Sequence, residues 1–146
     1  MNELINAGIR HVINLMEEDE RDHDGNLFTP YEKRFLDIAA AHGIHVTWER
    51  IPIQDVSVPT EQGMVKILDS IDRAMEGQRP VYVHCWGGKG RTGTVVGCYL
   101  VRHGLAVGSE ALERIKTLRR HDLRAHEPSP ETNQQRNFVC RWQMGK

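Results

Sequence analysis

A cysteine and an arginine stand six positions apart in His84-Cys85-Trp86-Gly87-Gly88-Lys89-Gly90-Arg91-Thr92-Gly93, with glycine-rich chain between them. The β-forming run Val81-Tyr82-Val83 leads in, and an apolar helical pattern leads out from Thr94. A thiol at a strand-to-helix junction lies where backbone N–H groups and the positive end of the helix dipole converge. That setting favours the thiolate, the nucleophilic form of cysteine. Gly87, Gly88 and Gly90 let the backbone curl until its N–H groups face inward as an anion nest. Arg91 adds a planar fork suited to two oxygens of a phosphate. With Trp86 and Lys89 filling the other positions, residues 86–91 read as a phosphate cradle, and Cys85 is the nucleophile at its floor.

Other readings of the loop fail on context. Gly88 to Gly93 satisfies G-x-G-x-x-G after a strand, but a dinucleotide fold needs a second parallel strand after its helix, ending near an acidic residue. Here the helix is followed by Gly104-Leu105-Ala106-Val107-Gly108 and another helical pattern. A Walker loop needs a glycine five positions before Gly88, and none stands there. A purely structural cysteine would leave Arg91 and three glycines unexplained.

The loop resembles the signature of the cysteine-based protein tyrosine and dual-specificity phosphatases, His-Cys, five residues, Arg, then Ser or Thr. The likeness extends from Gly8-Ile9-Arg10-His11-Val12-Ile13-Asn14-Leu15 through Ile51-Pro52-Ile53-Gln54-Asp55 to the stretch from Thr132 to Phe138. It implies that Cys85 forms a phosphocysteine, that Arg91 binds phosphoryl oxygens and that Thr92 assists the thiolate as leaving group. His84 is implied to tune the ionisation of Cys85. Trp86 is unusual for that family at the first loop position and is assigned to the rim.

Cleaving a phosphate ester also needs a proton for the departing oxygen. Asp55, 30 positions before Cys85, follows a strand pattern in Ile51-Pro52-Ile53-Gln54-Asp55-Val56 and resembles the family's general-acid loop. The plainer alternative is a turn aspartate; Glu18, Asp22 and Asp24 are weaker acid candidates. Gln135 matches a glutamine that positions hydrolytic water in the family, while Glu131 stands where classical members keep another glutamine. Helix capping by Ser129-Pro130-Glu131-Thr132 explains the same stretch equally well.

Length and composition suit one such domain over residues 1–146, large enough for a real core. Hydrophobic content of 39% and a mean hydropathy of −0.52 fit a globular chain. Nineteen basic against twenty acidic residues give −1, so bulk charge points to neither nucleic acid nor a membrane as partner. No apolar run is long enough to span a bilayer, and Met1-Asn2-Glu3-Leu4 does not open a signal peptide. Three cysteines, one needed as thiolate, suggest a reducing cytoplasm, with Cys98 in the core. The chemistry calls for no metal or organic cofactor: Asp22-x-Asp24-Gly25 lacks the glutamate of a calcium loop, since Tyr31 stands in its place, and His42-x-x-His45 does not share a helical face.

Periodicity predicts a helix ending near Ala7, a strand over Arg10 to Leu15, an acidic solvated loop over Glu17 to Gly25 and a helix from Thr29-Pro30 to about His42. A strand over Ile44 to Ile53 follows, then a Thr60-capped helix with Val65, Ile67, Leu68 and Ile71 as its stripe. Pro80 to Val83 is expected as the central strand. Helices are expected over Arg91 to His103, Ser109 to Arg120 and Pro130 to Trp142. Arg119-Arg120-His121-Asp122-Leu123-Arg124 is taken as a solvated helix end. The order implies an α/β fold, a mostly parallel central sheet flanked by helices, of dual-specificity-phosphatase type. Relative to that family, the chain is expected to lack an N-terminal strand or two.

The expected substrate is a phosphorylated protein, with phosphotyrosine preferred and phosphoserine or phosphothreonine also accepted. Inositol phosphates, phosphoinositides or RNA 5′ ends are the alternatives, Lys89 being the residue that raises the inositide reading. A phosphate-binding module without turnover is the remaining one.

Overall fold

The strand β1 (His11–Asn14) is buried at all four residues, which follows from its place in the middle of a three-stranded parallel sheet. The computed structural model describes residues 1–146. β1 pairs with β2 (Thr47–Arg50) on one side and β3 (Val81–His84) on the other, with His11 opposite Thr47 and Val81. Alternate β1 side chains feed two cores. Val12 joins Ile5, Phe35, Ala39 and Val46 under α1 (Asn2–Asn6) and α2 (Glu32–Ala41). Ile13 joins the larger cluster built with α3 (Glu61–Glu76), α4 (Arg91–Arg102), α5 (Ser109–Leu118) and α6 (Asn133–Arg141).

Local chemistry explains the elements around the site. Thr60 caps α3 by accepting the Gly63 N–H at 3.0 Å, and Met64, Ile67, Leu68 and Ile71 recur at helical spacing as its buried stripe. Val65, expected in that stripe, is only half-buried. Between α4 and α6 the contact depends on Gly97: a Cβ there would stand 2.6 Å from a Val139 methyl, so only glycine allows this approach. Burial of Cys98 on the same helix pushes its thiol pKa up, which makes it an inert core group.

Several sequence expectations shift. β1, not β3, is central, and β3 is an edge strand with Tyr82 exposed. The second strand is confined to Thr47–Arg50. Ile51 and Ile53 still donate to the Asn14 and Leu15 carbonyls at 3.0 and 2.9 Å, but Pro52 between them has no N–H to extend a ladder. α2 starts at Glu32 rather than Thr29-Pro30, because Tyr31 is its non-helical cap and turns its ring toward β3. α6 starts at Asn133, where Thr132 and Gln135 form a capping box.

Candidate active site

β3 ends at His84, and six residues later Gly90 caps α4, so Cys85 and Arg91 are held at the two ends of one turn-rich loop. Gly88 takes φ +68°, the backbone sign that L side chains resist, which lets the loop curl. Cys85 is 7% exposed at its floor. The Thr92 hydroxyl donates to Cys85 Sγ at 3.1 Å. Cys85, Arg91, Asp55, Trp86, Lys89 and Glu131 share one cavity of about 350 Å³.

The Arg91 guanidinium is almost wholly buried and held from several directions. Nη1 and Nη2 each donate to one oxygen of Glu20 at 2.6 Å, and Nη1 also donates to the Ile53 carbonyl at 3.1 Å. Asp55 Oδ1 lies 3.0 Å from Nη2. Burial works against the Arg91 charge, but the carboxylate of Glu20, aided by Asp55, outweighs it and raises the pKa. A bidentate carboxylate fixes the plane of the fork, and Nε–H has no protein partner. Glu20 belongs to the acidic loop expected to be solvated, yet its side chain is 9% exposed. The loop is folded inward by Asp22, which accepts N–H bonds from Asp24 and Asn26, and by an isolated bridge between Arg21 and Leu27. Only a bend in the loop distinguishes Glu20 from its acidic neighbours, and no spacing rule announces it.

His84 precedes Cys85 at the end of β3. Its Nδ1–H donates to the Cys85 carbonyl at 3.0 Å, which leaves Nε2 to accept from the Tyr31 hydroxyl. Burial pushes the His84 pKa below 6.5, with Arg50 and Arg91 adding to the effect, so the neutral ring is favoured. Tyr31 had no assigned role in the sequence, where it reads only as a helix start.

Asp55 is brought to the cradle, on a loop whose next residue, Val56, has φ +53°. A β-branched residue there stores strain of roughly 1–3 kcal/mol. Trp86 points outward as a wall of the rim, 42% exposed, with the His23 ring edge-on at 4.4 Å.

Two of the expected groups have protein partners of their own. Lys89 Nζ lies 2.5 Å from Glu127 and 3.2 Å from Glu131. The Gln135 amide oxygen is occupied by the N–H groups of Glu131 and Thr132, and its Nε2 donates to the Ser57 carbonyl. In this arrangement Gln135 ties α6 to the Asp55 loop, and Glu131 pairs with Lys89.

A parallel α/β core, a cysteine under a curled loop and a carboxylate-braced arginine are the frame of a cysteine-based phosphatase of the dual-specificity type. The chain belongs to the Swiss Army Knife protein DSP-PTPase phosphatase domain family, whose model matches residues 1–139. It is 31% identical over 87 residues to the dual specificity protein phosphatase CDC14B of Mus musculus, covering 60% of this chain and 16% of that protein. It is 28% identical over 113 residues to the phosphatidylglycerophosphate phosphatase PTPMT2 of Arabidopsis thaliana, covering 77% and 44%. The crystal structure of Tk-PTP in its active form matches with a TM-score of 0.62 and 26% identity, over 92% of this chain and 78% of that one. The chain thus spans less than half the length of either of those two curated relatives. No helix is long and apolar enough to cross a membrane.

Proposed function

We propose that the chain is a cysteine-dependent phosphatase of phosphorylated protein side chains, with phosphotyrosine preferred and phosphoserine or phosphothreonine also accepted. The observation that carries this reading is the convergence of Cys85, Arg91 and Asp55 on one cavity, with Thr92 bonded to the sulfur and Asp55 beside the clamp. The Cys85 thiolate attacks phosphorus and forms an S–P bond as the ester P–O bond breaks. Arg91 and the loop N–H groups hold the non-bridging oxygens, and Asp55 gives its proton to the departing oxygen. Water then attacks the phosphocysteine and gives a proton to Asp55; the S–P bond breaks, phosphate leaves and the thiolate returns, favoured by the Thr92 hydroxyl. The steps balance without a metal or an organic cofactor.

A side-chain substrate is supported by the rim. Trp86 and His23 form an aromatic edge against which a phosphotyrosine ring can pack. The pairing of Lys89 with Glu127 and Glu131 offsets the charge that favoured inositides. PTPMT2, a phosphatidylglycerophosphate phosphatase by name, keeps a lipid phosphate as the second reading. A panel of matched phosphotyrosine and phosphothreonine peptides, phosphoinositides and 5′-phosphorylated RNA, read as kcat/KM, tests the assignment. Highest turnover on the phosphotyrosine peptide supports it; a lipid or RNA optimum overturns it. No phosphate release from p-nitrophenyl phosphate would leave a binding module instead.

A further inference from the structure

The acidic and basic groups around the cavity do not all find partners. Arg91 faces Glu20 and Asp55, and Lys89 faces Glu127 and Glu131, so each of these cations meets two carboxylates. Arg124 lines the same cavity and is different: its guanidinium forms no direct ion pair or hydrogen bond, and Asp122 and Glu127 act on it only at longer range. Nη1 stands 3.9 Å from where a Cβ would sit on Gly87, two residues beyond the nucleophile.

The loop beneath Arg124 is built to hold it there. Arg119 at the end of α5 ion-pairs with Asp122 at 3.3 Å and donates to the carbonyls of Arg124 and Glu127, each at 3.1 Å. Asp122 Oδ1 accepts the Arg124 N–H at 2.9 Å. Arg119 and Asp122 therefore fasten the backbone around residue 124 as well as pairing with each other, and the stretch read from sequence as a solvated helix end is a clasp that holds Arg124 at the cavity. A guanidinium beside an anion cradle, unpaired and exposed, is suited to a carboxylate or a second phosphate.

From this clasp and cavity we infer that Arg124 is a specificity-determining residue, which recognises a second anionic group on the peptide next to the phosphorylated side chain. The inference rests on the proposed protein-phosphatase function. It is tested with one phosphotyrosine peptide in four versions, flanked by Ala, Glu, phosphoserine or Lys, and with an inositol bisphosphate. At low salt the Glu and phosphoserine peptides should exceed the Ala peptide in kcat/KM by about three- to tenfold, and the advantage should shrink as salt is raised. Arg124→Ala should bring the ratio to about one, Arg124→Glu should invert it toward the Lys peptide, and Arg124→Lys should keep part of it. The Glu and phosphoserine arms separate a carboxylate from a second phosphate as the anion read; a preference in either supports the inference.

A wild-type ratio near one overturns it, as does a ratio that survives in both Arg124→Ala and Arg124→Glu. An equal loss on all peptides and on p-nitrophenyl phosphate overturns it too, by making Arg124 part of the cradle itself. A preference seen only with the inositol bisphosphate overturns the peptide assignment. Peptide affinities measured on Cys85→Ser separate the two claims: a rim preference in binding without turnover by the wild type counts against the phosphatase function and in favour of the rim.

Discussion

Asp55 rests 3.0 Å from Arg91, on the guanidinium nitrogen that also donates to Glu20. On the proposed mechanism, phosphate and Asp55 compete for Nη2, and the Asp55 carboxyl must then serve the leaving oxygen. Val56, the next residue, carries a positive φ of 53°.

Asp55→Asn keeps the shape and removes the proton. Turnover of tyrosine and alkyl phosphates should fall by roughly 10²–10⁴-fold. The loss should shrink for esters with very acidic leaving groups, and the basic limb of the pH–rate profile should vanish. Rates measured across a leaving-group series check this; an equal loss on every ester would move the acid role elsewhere.

Glu20 is expected to matter through Arg91. Glu20→Gln leaves a buried guanidinium without its bidentate partner and should cost about 2–4 kcal/mol of stability. Added phosphate or vanadate should restore part of the lost melting temperature, since an oxyanion supplies the missing charge. A thermal shift series with and without vanadate decides it. Unchanged melting would mean that the pair contributes nothing to holding the fork.

The cradle was legible in the sequence because its chemistry needs particular residue types at fixed spacing, and Cys85, Arg91 and Thr92 fall on that spacing. The parallel sheet was legible from alternation of β-forming runs with helical stripes. What lay outside was decided in three dimensions. Glu20 looks like its neighbours Glu17 and Glu18 until Asp22 folds the loop inward. Lys89 looks like a phosphate ligand, and no spacing announces its pairing with Glu127, 38 residues away. Gln135 fits both a cap and a water-binding site, and the backbone N–H groups of Glu131 and Thr132 take its oxygen. Strand order was misplaced because three β-runs of similar character do not say which is central.

His84 gives a pH signature. Burial lowers its pKa below 6.5 in the folded chain, so below that pH the unfolded chain binds a proton that the folded one refuses. Stability should be full above pH 6.5 and decline on acidification through that value. His84→Asn, whose amide can still donate to the Cys85 carbonyl, should flatten part of the decline. His11, whose pKa burial also lowers, contributes in the same direction. Denaturant midpoints from pH 8 to 5 for both proteins measure this, and identical pH slopes would remove His84 from the account.

Lys89→Ala should change peptide turnover only a few-fold, because the charge removed is already matched by Glu127 and Glu131. kcat/KM on the phosphotyrosine peptide and on an inositide, compared before and after substitution, checks this. A large loss confined to the inositide would restore Lys89 as a substrate contact and favour the lipid or inositol reading.

The central claim is covalent catalysis by Cys85. The direct measurement is a rapid acid quench of the enzyme during turnover of a phosphotyrosine peptide, followed by mass spectrometry of the digested protein. The account predicts a phosphoryl group on Cys85 in the wild type, accumulation of none in Cys85→Ser, and loss of turnover in that variant. Phosphate release with no phosphorylated Cys85, together with near-normal turnover by Cys85→Ser, would contradict it.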